Sequence, residues 1–161
     1  MKVVSWTRRK GLKGLLLVGI SGTLLNSQFA HGQRMNSGRL LSLEDMVQPI
    51  VKGAKFVKKE LHIEAPILAD NGSLVPIHIQ VQSPMSEQDH VTHIYLLSQR
   101  NPVTQMAMFQ FGPWNGRCGV STRIRLAGTQ EVVALARLSS GEFRYNQMEI
   151  IVTESSCVDA S

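Results

Sequence analysis

From residue 58 to residue 153 the chain is a run of short stretches in which apolar and polar residues alternate, each closed by turn-forming residues. In 74–82, Val75, Ile77, Ile79 and Val81 fall on one side while His78, Gln80 and Gln82 fall on the other. A period of two belongs to a half-buried strand; a helix would scatter those four apolar residues around its circumference. Similar stretches recur in 58–65, 91–98, 105–111, 119–126, 131–138 and 143–153. The breaks between them carry Pro66, Asp70-Asn71-Gly72-Ser73, Ser83-Pro84, Asn101-Pro102, Gly112-Pro113, Asn115-Gly116, Gly128 and Ser140-Gly141, residues that favour turns. Seven such strands at this spacing predict an all-β domain, an immunoglobulin-like seven-strand antiparallel sandwich.

A short helix is expected ahead of the strands. Ser42 precedes Leu43-Glu44-Asp45, which is an N-cap followed by acidic residues in the first turn. Pro49 disfavours a helical Gln48 and limits the helix to about two turns. Residues 33–57 then read as a linker with this helix, and Lys52, Lys55, Lys58 and Lys59 as its solvated face. Residues 1–32 read as an export signal. Thr7-Arg8-Arg9-Lys10-Gly11-Leu12-Lys13 is followed by an uncharged, mostly apolar stretch to Leu25 and a small-x-small site at Ala30-His31-Gly32, the layout of a signal peptide of the twin-arginine type. The apolar stretch is too short to cross a bilayer as a helix, so a periplasmic protein with no membrane attachment after processing is expected.

Removing that signal changes the electrostatics. All five basic residues of 1–32 (Lys2, Arg8, Arg9, Lys10 and Lys13) leave with it and no acidic one does, so the net charge of +5 falls to 12 basic against 12 acidic residues. Nucleic-acid binding needs a retained basic surface, and that class is excluded. The remaining chain is the size of one domain.

The stretch Gly116-Arg-Cys-Gly-Val-Ser-Thr-Arg-Ile-Arg-Leu-Ala-Gly-Thr-Gln130 resembles the corresponding segment of the SoxY family, the sulfur carriers of the bacterial thiosulfate-oxidising (Sox) system. The likeness extends to Asn71-Gly-Ser-Leu-Val-Pro-Ile77, to Val81-Gln-Ser-Pro-Met85 and to Cys157, and so covers about residues 58–157. It implies a domain at 58–154 and a carrier arm at 155–161. It also implies partners: a SoxZ-like subunit in a heterodimer, a haem-containing conjugating enzyme and a sulfate-releasing hydrolase. On this reading the protein is a carrier rather than an enzyme, with no cofactor, no catalytic residues and no metal, and Cys157 is the point of covalent sulfur attachment.

The arm departs from the family form. Where the family has Gly-Gly-Cys-Gly-Gly, this chain has Ser155-Ser156-Cys157-Val158-Asp159. Serine is small but lacks glycine's left-handed freedom, and Val158 adds bulk beside the thiol. Two functions therefore stay open: a sulfur carrier, and an immunoglobulin-like interaction protein derived from such carriers. A copper centre of cupredoxin type would need His and Met shortly after Cys157, and neither follows.

Cys118, commonly Ala in the family, raises the question of a disulfide. In a seven-strand sandwich the start of the fifth strand and the end of the seventh lie at opposite poles, a strand length apart. A bridge needs Cα atoms within about 7 Å, so Cys157 is expected to stay free. Candidate partner surfaces are Arg123 and Arg125, which alternate outward from Val120, Thr122, Ile124 and Leu126, and Tyr145 and Ile151. The last two share a face with Phe143, opposite Met148, Ile150 and Val152, which gives the last strand two apolar sides. Met106 and Met108 share a face with Gln110, opposite Ala107, Phe109 and Phe111. His62 and His78 read as surface residues, and His90 and His93 as lying on opposite faces.

If the arginine pair directs export, replacing Arg8 and Arg9 together by lysine leaves unprocessed precursor in the cytoplasm. Wild-type protein recovered from the periplasm begins at Gln33 by N-terminal sequencing. Normal periplasmic yield from the double variant rules the route out.

Overall fold

The computed structural model describes residues 39–154. The helix forms as α1 (Leu43–Val51). Ser42 caps it, its Oγ accepting from the Asp45 N–H at 3.1 Å, and the Asp45 carboxylate reaches back to the Ser42 N–H at 3.4 Å. It runs through Pro49 to Val51 and ends where Lys52 turns left-handed at φ 52°. The proline thus sits inside the helix instead of stopping it. What holds the last turn is packing: Met46, Val47 and Val51 are buried against Leu97, Val133, Leu135 and Phe143 of the neighbouring sheet.

Among the described residues nine strands form, two more than the sequence predicts: β1 (Phe56–Lys58), β2 (Leu61–Glu64), β3 (Leu68–Asn71), β4 (Val75–Val81), β5 (Val91–Ser98), β6 (Gln105–Gln110), β7 (Cys118–Ile124), β8 (Gln130–Leu138) and β9 (Phe143–Glu154). One sheet has the order β1-β9-β8-β5-β6, with β3 also pairing β9; the other is β2-β4-β7. Two faults in the sequence reading account for the difference. Glu60, at φ 52°, breaks the expected single strand 58–65 into β1 and β2, which join different sheets. The four residues Leu-Ala-Asp-Asn of β3 are too few to show an alternation and run into the predicted turn. Nor is the sandwich wholly antiparallel. Both added strands lie parallel to β9, β1 through Phe56↔Phe143 to Lys58↔Tyr145 and β3 through Leu68↔Ile151 to Asn71↔Glu154.

The core lies between the sheets. Val75, Ile77, Ile79 and Val81 of β4 meet Ile94, Leu96, Val132, Ala134, Ile150 and Val152, so the alternation of 74–82 faces inward as read. A second cluster lies on the outer side of the larger sheet under α1. It takes up two of the three apolar residues on the outer face of β9: Phe143 is buried there, and Tyr145 sits edge-on to Phe56 at a ring separation of 5.3 Å. On β6 the pairing with β5 slips between Leu96 and Leu97. The irregularity falls at Met106 and changes its facing. Met106 packs against the core with Ala107, Phe109 and Phe111, while Met108 is exposed. The two methionines therefore part, contrary to a strict period of two.

Arg144 locks the β2 end of the sandwich. Its guanidinium pairs with Glu60 and donates to the Gln82 carbonyl at 3.1 Å, holding the turn after β1 and the end of β4 to the start of β9. At the other pole Gly72 makes the closest approach. A Cβ placed on it would stand 2.5 Å from the Leu126 carbonyl oxygen and 2.9 Å from a Val152 methyl. The first of these is backbone and does not yield cheaply. Gly72→Ala is expected to destabilise the fold by about 1–3 kcal/mol in urea unfolding, whereas Gly53→Ala, with nothing within 4 Å of its Cβ but a φ of +86°, loses only about 1 kcal/mol. Equal stability of Gly72→Ala and wild type contradicts the close approach.

Candidate functional site

β9 is twelve residues long, and β8 covers it only as far as Ile150. Beyond that its last residues are held by β3 on one edge and by side chains and turns besides. The Val152 N–H donates to Thr129 Oγ1 at 3.0 Å, the Thr153 hydroxyl donates to the Asp70 carbonyl at 2.7 Å, and the Gly72 N–H donates to the Glu154 carbonyl at 2.8 Å. Gly72 in turn accepts from the Leu126 N–H at 2.8 Å. Alternate amides of β9 thus point to opposite edges, Val152 toward Thr129 and Ile151 toward the Ile67 carbonyl at 2.8 Å.

Thr129 is itself fixed by a buried polar knot. Gln130, buried, accepts from the Ser98 hydroxyl and from the Arg100 N–H at 3.0 Å. Its amide donates to Asn101 Oδ1 at 3.0 Å and to the Gly128 carbonyl at 3.2 Å. Asn101 completes the knot by donating to the Arg125 carbonyl at 2.8 Å and accepting from the Ala127 N–H at 2.9 Å. Buried amides of this kind are costly unless paired, and here each bond ties one loop at this pole to another. The result is a rigid mount for the residues that follow Glu154.

Cys157, Ser155, Ser156 and Val158 lie outside the described residues. The other sequence candidates separate. Ile151 is exposed opposite Leu68, at the same end of β9 as Glu154. Arg125 is exposed one residue before Leu126, at the same pole. Tyr145 is half-buried in the α1 cluster. Arg123 lies two residues up β7 from Arg125 on the outer face of the smaller sheet, beside an open groove lined also by Glu64, Pro66, Pro76, His78 and Ser121. There His78 Nδ1 and Ser121 Oγ share a hydrogen bond of 2.7 Å. The groove opens because β2 stops at Glu64, opposite His78, leaving Pro76 uncovered on that side. His62 is exposed; His90 bonds the Ser86 carbonyl at 3.0 Å, while His93 stacks on Tyr95. Among the described residues no three His, Cys, Asp or Glu side chains form a metal-holding group.

Cys118 opens β7 opposite Val81 and is buried and free. Burial pushes its thiol from 9.0 up to about 12, so it stays protonated and weakly nucleophilic at neutral pH. It stands at the pole where β9 begins, near Arg144 and Gln82, whereas Glu154 stands with Gly72 and Leu126 at the other. The chain between Glu154 and residue 157 spans at most about 11 Å, less than the length of β7.

Sequence reasoning did not find Gly72, Asn101, Thr129 or Gln130 as the mount. Thr129 and Gln130 stood in a singled-out motif and Gly72 in a turn signal, but nothing in a local pattern shows that residues 101 and 130 meet.

Residues 47–157 match the family model of the sulfur oxidation protein SoxY. Among solved structures, the sulfur carrier protein SoxY from Chlorobium limicola f thiosulfatophilum superposes with a TM-score of 0.58 at 24% identity, over 68% of this chain and 90% of that one. The superoxide reductase (neelaredoxin) from Ignicoccus hospitalis superposes with a TM-score of 0.52 at 19% identity, over 58% and 80%. A putative superoxide reductase from Thermotoga maritima gives 0.52 at 20% identity, over 65% and 98%. At these identities the structural likenesses establish the fold. A search of curated proteins gives no match.

Non-reducing peptide mapping of the folded protein is expected to show no Cys118–Cys157 bridge, and iodoacetamide to label Cys118 only after denaturation. The raised thiol also sets a pH dependence. Above 9 the unfolded chain loses this proton while the folded chain keeps it, so its contribution is intact below 9 and lost as pH rises toward 12. Cys118→Ala should flatten the fall in stability over that window; an unchanged slope excludes the assignment.

Proposed function

Because the chain belongs to the SoxY family of sulfur oxidation proteins, we propose that it is a sulfur carrier that holds intermediates of thiosulfate oxidation covalently on Cys157. The observation that carries this reading is the mount at the end of β9: Glu154, three residues before the cysteine, is fixed at the surface by Gly72 and by the Thr129 clamp on Val152. A carrier needs a rigid body and a short projecting thiol, and the family match runs to residue 157.

On this reading residues 1–32 direct export to the periplasm by the twin-arginine route, the sandwich is of immunoglobulin type, and the chain pairs with a SoxZ-like subunit. The carrier itself turns nothing over. Joining thiosulfate to the Cys157 thiolate forms a sulfur–sulfur bond and releases two electrons, which the haem-containing conjugating enzyme accepts. Water then cleaves the terminal sulfonate as sulfate in the hydrolase, leaving a persulfide on Cys157. Within this chain the division of labour between the thiols follows from burial. Cys118, enclosed and protonated, is withheld from the exchange.

A second reading, an interaction protein without cargo, draws on the arm sequence Ser155-Ser156-Cys157-Val158. Mass spectrometry after incubation with thiosulfate and the complete partner set separates the two. Cys157→Ala is expected to abolish the thiol-reversible mass gain and Cys118→Ala to retain it. Converting Ser155 and Ser156 to Gly and deleting residues 158–161 should speed loading, because glycine widens the arm's accessible conformations. Loading of that variant but never of the natural chain favours the interaction protein; loading of neither ends the carrier assignment.

A further inference from the structure

Four large apolar side chains are exposed around the mount. Ile67 is 70% accessible, Leu68 56%, Leu74 64% and Ile151 43%. Three of them are tied to the strand that leads to the arm, since Leu68 is the ladder partner of Ile151 and the Ile67 carbonyl accepts the Ile151 N–H. Leu74 leaves the turn whose Gly72 holds Glu154. They do not follow from a shortage of polar residues, because β3 itself supplies the exposed Asp70 and Asn71 beside them. Leu68 and Ile151 side by side on the ladder, with Ile67 next to them, place exposed apolar surface on a hydrogen-bonded edge, the ordinary mark of a contact surface.

The covalent reach of the arm says what must cover it. Cys157 is three residues past Glu154, and three extended residues span about 10–11 Å. Any protein whose active site takes in the Cys157 sulfur therefore brings its own surface to within that distance of Glu154, where Ile67, Leu68 and Ile151 stand. We propose that Ile67, Leu68, Leu74 and Ile151 form the docking surface for the enzyme that loads Cys157, which meets them with an apolar rim around its thiol-accepting cleft. The inference rests on the carrier reading and adds to it the surface by which the loading enzyme recognises this chain. Docking there also lets a short arm suffice, because the body of the carrier is held while the thiol is presented. Trp114, likewise exposed at 81%, precedes Cys118 at the opposite pole and lies beyond this reach.

The test compares the full mature chain, with its SoxZ-like subunit, against Leu68→Thr, Ile151→Thr and the control Trp114→Ser. Threonine keeps strand propensity on an exposed face. Folding is checked by urea midpoint and subunit pairing by size exclusion with light scattering. Two rates are measured at Cys157: reaction with a chromogenic aromatic disulfide, and adduct formation with thiosulfate and the haem-containing conjugating enzyme. The expected result is a small-reagent rate within about twofold of wild type for every variant and a rise of about tenfold in the KM for the carrier in the two threonine variants, with Trp114→Ser unchanged. An unaltered KM in folded, paired threonine variants overturns the docking surface and leaves the carrier reading standing. Loss of pairing with the SoxZ-like subunit overturns it in favour of a subunit interface. Absence of any adduct on the wild-type chain with the full partner set removes the carrier reading, and the docking surface with it.

Discussion

The structure depends on β9 having more partners than a terminal strand usually has. Beyond its antiparallel ladder with β8 it accepts β1 and β3 in parallel, so a strand that would otherwise offer a free edge is paired near both ends. An unpaired edge of twelve residues would be a template for association with another chain. The two short strands remove most of it, and in doing so they bring Phe56 against Tyr145 and Ile67 and Leu68 against Ile151. The first contact joins the cluster under α1, and the second builds the exposed apolar edge. Covering β9 thus decides both where the helix packs and what the far pole displays.

The polar knot at that pole works on the same constraint from the other side. Past Ile150, β9 has outrun β8, and its amides need partners from loops. Thr129 supplies one, but a threonine hydroxyl on a loop fixes a strand only if the loop is itself fixed. Asn101 and Gln130 provide this by converging on each other and on the backbone of 125–128. Gly72 then brings a third loop to within hydrogen-bonding distance of Glu154, an approach that any Cβ would block. Each loop is ordered by the next, so a substitution at Asn101 acts on β9 without touching it.

What the sequence made legible was whatever repeats locally. The alternation of β4 and the outward pair Arg123, on β7, and Arg125, just past its end, appear with the facing expected of them. The Ser42 cap is a four-residue signal and was equally readable. Splitting at Glu60 was not, because a single left-handed glutamate leaves the alternation on either side intact. Nor was β3, whose strand character comes from β9 and not from its own four residues. The slip at Met106 shows the limit most clearly, since a period-two reading assigns every residue after an irregularity to the wrong side unless the pairing partner is known. The tie between residues 101 and 130 is the same kind of fact, set by tertiary contact alone.

Polarity of the sandwich, by contrast, followed from strand count parity and survived the count being wrong. Adding β1 and β3 leaves β4 to β9 in their order, and so leaves the start of β7 and the end of β9 at opposite poles. That separation has a chemical consequence for a chain with two thiols. In an oxidising compartment two cysteines within reach of each other close into a disulfide. Here one thiol is enclosed and kept protonated by burial, and the strand length between the poles exceeds what three residues can cross. Distance between the poles therefore separates Cys118 from the chain that follows Glu154, and burial independently encloses the Cys118 thiol.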